Sequence, residues 1–140
     1  MQQQVSVITL GVSDLERSRR FYVEGFGWTP VFQNDEIVFY QMNGFVLGTW
    51  LAACLEADMQ REGLARPGAF ALAHNVKGRE AVQPLLERLS NHGGSILKAA
   101  TEPPHGGLSG HVADPDDHAW EIAWNPAWSI SPEGLVAFGL

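Results

Sequence analysis

The 140-residue sequence has a single cysteine, Cys54, and no long apolar run. The first absence excludes an internal disulfide, and the second argues against a membrane span. One cysteine cannot form an internal disulfide, and a chain without disulfides fits a reducing compartment. A bilayer span needs about 20 consecutive apolar residues, and the polar N-terminus lacks the basic-then-apolar order of a signal peptide. We therefore expect a cytoplasmic protein with no membrane partner.

Basic residues are also scarce, since 9 Lys and Arg stand against 16 Asp and Glu and the net charge is −7. Proteins that bind nucleic acid use clustered Lys and Arg to displace the counterions of the phosphate backbone, and no segment offers such a cluster. The acidic balance argues against a nucleic-acid partner. It is compatible with a cationic ligand and is also typical of a surface that only confers solubility.

What is present is the composition of a folded domain, with 45% hydrophobic and 18% charged residues. Residues 1–140 fall in the ordinary size range of one compact domain with its own core. We therefore predict a single domain.

The first fifty residues predict the order strand, helix, strand, strand, strand. Val5 to Val12 is rich in β-branched residues, which favours a strand. Ser13 and Glu16 have the form of a capping box at the start of a helix. Asn43-Gly44 is a strong signal for a β-hairpin. We name this predicted unit, about residues 5–51, module one.

The same order of elements then begins again. A linking helix is predicted over about 53–63, and module two over about 69–124, with its closing hairpin around Asp114 to Asp117. The tail, 125–140, is predicted to be irregular and anchored by aromatic residues. The repeated order predicts an α+β fold made of two βαβββ modules.

Two segments carry a resemblance to a known family. Ile8 to Ser18, continuing to Phe21-Tyr22 and Phe26-Gly27-Trp28, resembles the opening of vicinal-oxygen-chelate proteins, and Ala113 to Ile122 resembles their closing hairpin. That superfamily includes glyoxalase I, fosfomycin and bleomycin resistance proteins, and extradiol dioxygenases. The resemblance implies two βαβββ modules that form a cup-shaped mixed sheet, usually completed by a homodimer.

The metal site of that family is largely missing here. Metal-dependent members hold a divalent ion with one ligand from each of four strands. Carried over by position, three of these places fall on Val7, Gly48 and Ala69, which cannot coordinate, and the fourth falls on Glu121. A single carboxylate does not hold a catalytic ion tightly. We therefore predict no metal and no other cofactor.

Glu121 is the leading candidate for function. Strand alternation places it among small residues on the face that the resemblance assigns to the cup. A carboxylate there is predicted to act as a general base or to anchor a cationic or hydrogen-bonding ligand. A salt bridge to a nearby Arg or Lys is the structural alternative. The same alternation predicts Asn75 as a ligand-binding residue and directs His74 towards the helices.

His111 and Trp50 are further candidates. His111 is a second catalytic candidate if its side chain projects into the cup with Glu121, and it has no such role if the side chain projects away. Trp50 shares strand parity with Gly48 and offers an aromatic face to a ligand, although a core or dimer contact explains it equally well. The remaining histidines near the last hairpin, His105 and His118, are predicted to be surface residues.

Two functions stay open on the sequence alone. The first is a metal-independent protein, resembling the bleomycin-resistance branch, that binds a small organic ligand in the cup around Glu121 as a homodimer. The second is an enzyme, either a glyoxalase-type lyase or isomerase or a dioxygenase, with an atypical metal site. A third class, an accessory protein without a ligand of its own, predicts that the tail at Trp128 occludes the cup.

Overall fold

The computed structural model describes residues 1–63, 67 and 70–139, so the predicted ligand position Ala69 lies outside the described residues. The strands are β1 Val7–Val12, β2 Pro30–Gln33, β3 Ile37–Gln41, β4 Val46–Leu51, β5 Leu72–Asn75, β6 Ser95–Thr101, β7 Leu108–Ala113, β8 Ala119–Trp124, β9 Ser129–Ile130 and β10 Val136–Ala137. The helices are α1 Leu15–Arg19, which continues as a π-helix over Arg20–Gly25, then α2 Ala52–Met59, a 3-10 turn over Arg79–Ala81 and α3 Val82–Asn91.

The strands form two four-stranded mixed sheets with the same topology. Their orders are β1-β4-β3-β2 and β5-β8-β7-β6. In each sheet the first and last strands of the module pair in parallel, and the other neighbours pair antiparallel. This repeat confirms the predicted α+β fold of two βαβββ modules.

Helix α1 is capped by Asp14 and not by Ser13, which corrects the predicted capping box. The Asp14 carboxylate accepts a hydrogen bond from the Arg17 amide at 3.0 Å. Ser13 is engaged across the molecule, because its amide and hydroxyl both donate to Oδ1 of Asp116, at 2.9 and 3.0 Å. Ser and Asp are comparable N-caps, so the distant partner of Ser13 decides between them.

One hydrophobic core joins the two modules. Tyr22, from the π-helix of module one, packs against Tyr40 at 5.7 Å and against Trp120 of module two at 6.0 Å between ring centroids. Helix α3 contributes Leu86 and Leu89, which are fully buried in the same cluster. Each sheet therefore turns one face towards this shared core, and its other face, named here its outer face, is directed away from it.

The hairpin turn of module two is bound to module one by buried hydrogen bonds. Asp114 is 2% exposed and accepts from the Tyr22 hydroxyl at 2.7 Å and from the amides of Asp116 and His118 at 2.8 and 2.9 Å. Nε2 of His118 donates to the Gly11 carbonyl at 2.7 Å. His118 is 8% exposed, so the prediction that it is a surface residue is wrong.

Asp116 completes this contact at its rim, where it accepts from Ser13 and pairs with Arg17 at 3.0 Å. Asp117 then occupies the turn position where the family pattern has glycine, with φ at +67°, a conformation that Asp tolerates better than most residues. We name the set the junction network, and its members are Gly11, Ser13, Arg17, Tyr22, Asp114, Asp116 and His118.

The linking helix and the tail differ from their predicted forms. The linking helix is α2, Ala52–Met59, shorter than the predicted span and ended by Gln60 in a left-handed conformation. The tail folds back as the β9–β10 hairpin, which the Asn43 side chain holds by donating to the Glu133 carbonyl at 3.2 Å. Trp128 packs edge-on against Phe138 at 5.3 Å. Across the described residues, no helix combines the length and apolar character that a bilayer span requires.

Candidate functional site

The outer face of module two carries a row of polar side chains. Register pairs Lys98 on β6 with His111 on β7, and His111 with Glu121 on β8. Residues paired across strands have their side chains on the same face, with Cβ atoms about 4.5 to 5.5 Å apart. The side chain of His111 therefore projects on the same side of the sheet as Glu121, and not on the opposite side. We name Lys98, His111 and Glu121 the polar row.

A second row runs beside it. Register pairs Thr101 with Ser109, Ser109 with Ala123, and Ala123 with Asn75. Asn75 thus shares the outer face with Glu121, as strand alternation predicts. The small side chain of Ala123 leaves space between the polar groups of the two rows.

Glu121 has no ionic partner in the part of the chain that the structure describes. None of the ion pairs within 4.0 Å involves this carboxylate. The residue is half-buried. The alternative of a salt bridge within the chain is therefore not observed among these residues. An unpaired carboxylate on an open face is available to a ligand.

His74 lies on the opposite side of its strand and packs against Phe26 and Trp28, with ring centroids 5.4 and 6.2 Å apart. Burial lowers the pKa of His74 below its ordinary value of 6.5. This places a neutral imidazole in the core at neutral pH.

The outer face of module one is apolar where that of module two is polar. Phe39 packs over Gly48 on this face, and Phe39 and Phe32 lie 5.8 Å apart between ring centroids. Trp50 is on the same face, and its indole Nε1 is buried without a hydrogen-bond partner. Helix α2 covers one end of the face, since Leu55 and Ala52 lie over Gly11.

The donor set for a divalent ion does not fit at the inherited positions. Val7 and Gly48 lie on the outer face of module one, and neither has a coordinating side chain. A Cβ added at Gly48 would lie 3.0 Å from the Phe39 ring, so that ring occupies the space a ligand side chain would need. Among the described residues, no three His, Cys, Asp or Glu side chains come together as a metal site would require.

Neither of two cavities formed by the described residues is lined by Glu121 or His111. One, of about 900 Å³, lies between the modules and includes Asn75 in its wall. The other, of about 540 Å³, lies near the start of α1. Glu121 and His111 are only partly buried and Lys98 is exposed, so the polar row is accessible on a single chain.

Sequence reasoning did not single out Lys98, Ser109 and Thr9, which the structure places beside the candidates. Ser109 has the same strand parity as His111, a signal that would have found it. Thr9 faces Gly48, and its hydroxyl oxygen lies 3.6 Å from where a Cβ added at Gly48 would be. Lys98 had no such signal, because the register of β6 shifts on both sides of it.

Both modules match one family model, the Glyoxalase/Bleomycin resistance protein/Dioxygenase superfamily, over residues 4–122. The chain belongs to this superfamily. The family predicted from the residues of the opening and closing segments is therefore confirmed.

Solved structures of superfamily relatives support the same conclusion. A glyoxalase-related enzyme from Fulvimarina pelagi is 60% identical, with 99% of this chain and 100% of that chain covered and a TM-score of 0.97. A glyoxalase/bleomycin resistance protein/dioxygenase family enzyme from Burkholderia phytofirmans PsJN is 18% identical, with 87% and 98% covered and a TM-score of 0.77. A lactoylglutathione lyase from Agrobacterium tumefaciens is 19% identical, with 92% and 98% covered and a TM-score of 0.70. The last two share the superfamily fold, which is all that such low identities establish.

Proposed function

We propose that this protein binds a small organic ligand around Glu121 without a metal ion. The single observation that carries the proposal is the unpaired Glu121 carboxylate beside His111 and Lys98 on an open sheet face. Burial favours the pairing of a charge, and a ligand that donates a hydrogen bond or carries a positive charge would supply a partner to this half-buried carboxylate.

We further propose that a second copy of the chain completes this site. The outer face of module one exposes large apolar side chains, including Val7 at 48% and Phe32 at 50%. Contiguous exposed apolar surface of this kind is typical of an interface. A homodimer that sets module one of one copy opposite module two of the other forms a cup with one aromatic wall and one polar wall.

The chemistry of the two walls describes the ligand. Phe39 and Trp50 offer aromatic surface to a ligand. Glu121 can accept from a ligand donor, and Lys98 and His111 can face an acceptor or an anionic group. The expected ligand is therefore part aromatic and part polar, and Asn75 adds an amide at the edge of the same surface.

A thermal-shift screen of small aromatic amines and alcohols in the presence of a chelator tests this function. At about a hundredfold excess over Kd, a ligand stabilises by about 2.7 kcal/mol, which is a shift of roughly 8 °C for a chain of this size. Glu121→Gln should abolish the shift, while Glu87→Gln, an exposed carboxylate on α3, should leave it intact. Stabilisation by stoichiometric Ni²⁺, Zn²⁺ or Mn²⁺ that Glu121→Gln removes would contradict metal independence.

The dimer is tested separately by analytical ultracentrifugation. We expect the wild-type chain to sediment as a dimer, and Phe32→Glu to weaken association by at least about tenfold because it buries a charge in the contact. A wild-type chain that stays monomeric at every concentration would refute the proposed cup.

A second candidate function is an enzyme, because a His beside a Glu is a common arrangement for moving a proton. A 60% identical structure is described as a glyoxalase-related enzyme. If the protein is an enzyme, we expect turnover of a glyoxalase-type hemithioacetal or a catechol. Glu121→Gln should abolish this turnover, and Glu87→Gln should preserve it. Absence of turnover with and without added divalent ions, in a protein that binds ligand, favours the binding function.

We also propose a cytoplasmic location, which rests on the single cysteine, since a chain without disulfides fits a reducing compartment. Cell fractionation with antibody detection checks it.

A further inference from the structure

A cavity formed by the described residues is lined by none of the three residues of the polar row. It has a volume of about 900 Å³ and lies between the modules. Its walls come from the β3–β4 hairpin of module one and from β5 of module two, and the β9–β10 hairpin covers it with Ile130, Leu135 and Val136. Small-molecule sites commonly have volumes of about 300 to 1,000 Å³.

The walls of this cleft are aromatic and already packed in position. Trp28 lies 5.6 Å from Trp120, 6.2 Å from Tyr40 and 6.2 Å from His74 between ring centroids. All four rings line the cavity. Side chains that hold one another in place lose little freedom when a ligand binds, so the cleft offers preformed aromatic surface to a flat molecule.

The charge of the lining is unlike that of the chain as a whole. Among the lining residues that the structure describes, Lys77 is the only Lys, Arg, Asp or Glu, in a sequence with a net charge of −7. The other polar groups are uncharged and include the amides of Gln41 and Asn43. One cation without lining carboxylates favours a ligand with one negative charge.

Glu133, on the β9–β10 hairpin, is an acidic group that interacts electrostatically with Lys77. Hydrogen bonds from its own backbone and from Ser131 lower the pKa of Glu133, and Lys77 contributes to the shift. Its carboxylate is therefore ionised at neutral pH and competes with any anion for the Lys77 ammonium.

We propose that the cleft between the modules, beneath the β9–β10 hairpin, is a second small-molecule site that takes a flat aromatic molecule with one anionic group. Its rings contact Trp28 and the neighbouring aromatic wall, and its anionic group lies at Lys77. The site is separate from the one proposed around Glu121 and does not depend on it.

Two fluorescent probes test the site. The first, 8-anilinonaphthalene-1-sulfonate, is aromatic and anionic, and the second, N-phenyl-1-naphthylamine, has the same rings without the sulfonate. Lys77→Gln removes the cleft cation, and the matched control is Lys98→Gln, which removes the same charge from the polar row. Both lysines are exposed, so both variants should fold.

We expect saturable binding of the sulfonate probe with one site per chain. Lys77→Gln should weaken it about fivefold, the effect of losing one exposed charge contact, and Glu133→Gln should strengthen it about twofold. Lys98→Gln should change it less than about 1.5-fold, and the neutral probe should bind all variants alike within that margin.

Nuclear magnetic resonance of the indole N–H groups locates the bound probe. We expect shifts at Trp28 and Trp120, with little change at Trp50 on the outer face of module one. Shifts centred on Trp50, equal loss of binding in Lys77→Gln and Lys98→Gln, or the absence of saturable binding would each overturn the proposal. A failure of this kind leaves Glu121-dependent binding untouched, so the two sites are judged independently.

Discussion

Two polar regions of this protein differ in how far their groups are partnered. In the junction network, the buried Asp114 carboxylate accepts three hydrogen bonds, and Asp116 accepts from Ser13 and Arg17. In the polar row, Glu121 forms no ion pair with any described residue although it lies beside His111. Each region contains at least one carboxylate and a histidine, so residue type alone does not distinguish them.

We expect the two regions to respond differently to mutation. Removing one partner of a buried hydrogen bond leaves the other unsatisfied, which lowers the free energy of unfolding. A polar group that folding leaves unpaired contributes little to stability and is free to bind. The junction network should therefore respond to mutation in unfolding experiments, and the polar row should respond in binding experiments.

Asp114→Ala should have the largest effect on stability. It removes the acceptor of the Tyr22 hydroxyl and of two amides, and buried donors left without partners cost about 1 to 3 kcal/mol each. We expect the free energy of unfolding to fall by about 3 kcal/mol, measured by urea denaturation with unchanged slope. A loss below about 1 kcal/mol would show that the junction does not hold the modules together.

Asp116→Ala should have a smaller effect, because this carboxylate lies at the rim of the junction. It loses its contacts with Ser13 and Arg17, and the Arg17 side chain is 48% exposed. We expect a loss of about 1 kcal/mol that shrinks as salt is added, since exposed ion pairs are screened. An effect as large as that of Asp114→Ala, or one insensitive to salt, would contradict this account.

His74 should make stability depend on pH. Burial lowers its pKa from 6.5 in the folded protein, so the unfolded chain binds a proton more readily. The stability contribution is therefore complete above pH 6.5 and decreases as the pH falls through the lowered folded value. His74→Phe keeps a ring against Phe26 and Trp28 and should flatten the profile between about pH 7.5 and 5, measured by urea midpoints. Equal slopes in the two proteins would disprove it.

Glu121→Gln should have the smallest effect on stability and the clearest effect on binding. The change keeps the size of the side chain and breaks no ion pair among the described residues, so we expect less than about 0.5 kcal/mol. Loss of more than about 1 kcal/mol in the absence of ligand would mean that the carboxylate has a structural role. Urea denaturation without ligand makes the measurement, with Glu87→Gln as the reference.

Much of the fold could be predicted from sequence because its signals are local. The repeated order of strands and helix, the Asn43-Gly44 turn and the Asp114 to Asp117 turn each depend on a few adjacent residues. The cap at Asp14 could not be predicted, because it is decided by the contact of Ser13 with Asp116, about a hundred positions away in the chain. The burial of His118 could not be predicted either, because its partner Gly11 is similarly distant. The β9–β10 hairpin was missed because its strands are two residues each.

The candidate site could be predicted only where strand alternation is regular. Alternation along β8 and β5 is regular, and it places Glu121 and Asn75 on one face as expected. Along β6 the register shifts between Ile96 and Lys98 and again between Lys98 and Thr101. Each shift breaks the two-residue period of side-chain direction along the strand, so the face on which Lys98 lies could not be predicted from the sequence.

The sequence distance across the junction network has a consequence for how the chain is made. Tyr22 is separated from Asp114 by 92 positions, and Ser13 from Asp116 by 103. At a synthesis rate of about 5 to 20 residues per second, Tyr22 waits about 5 to 20 seconds for its partner. Module one is therefore translated well before it can bury its polar groups, and the junction network cannot form until the closing hairpin of module two has been synthesised.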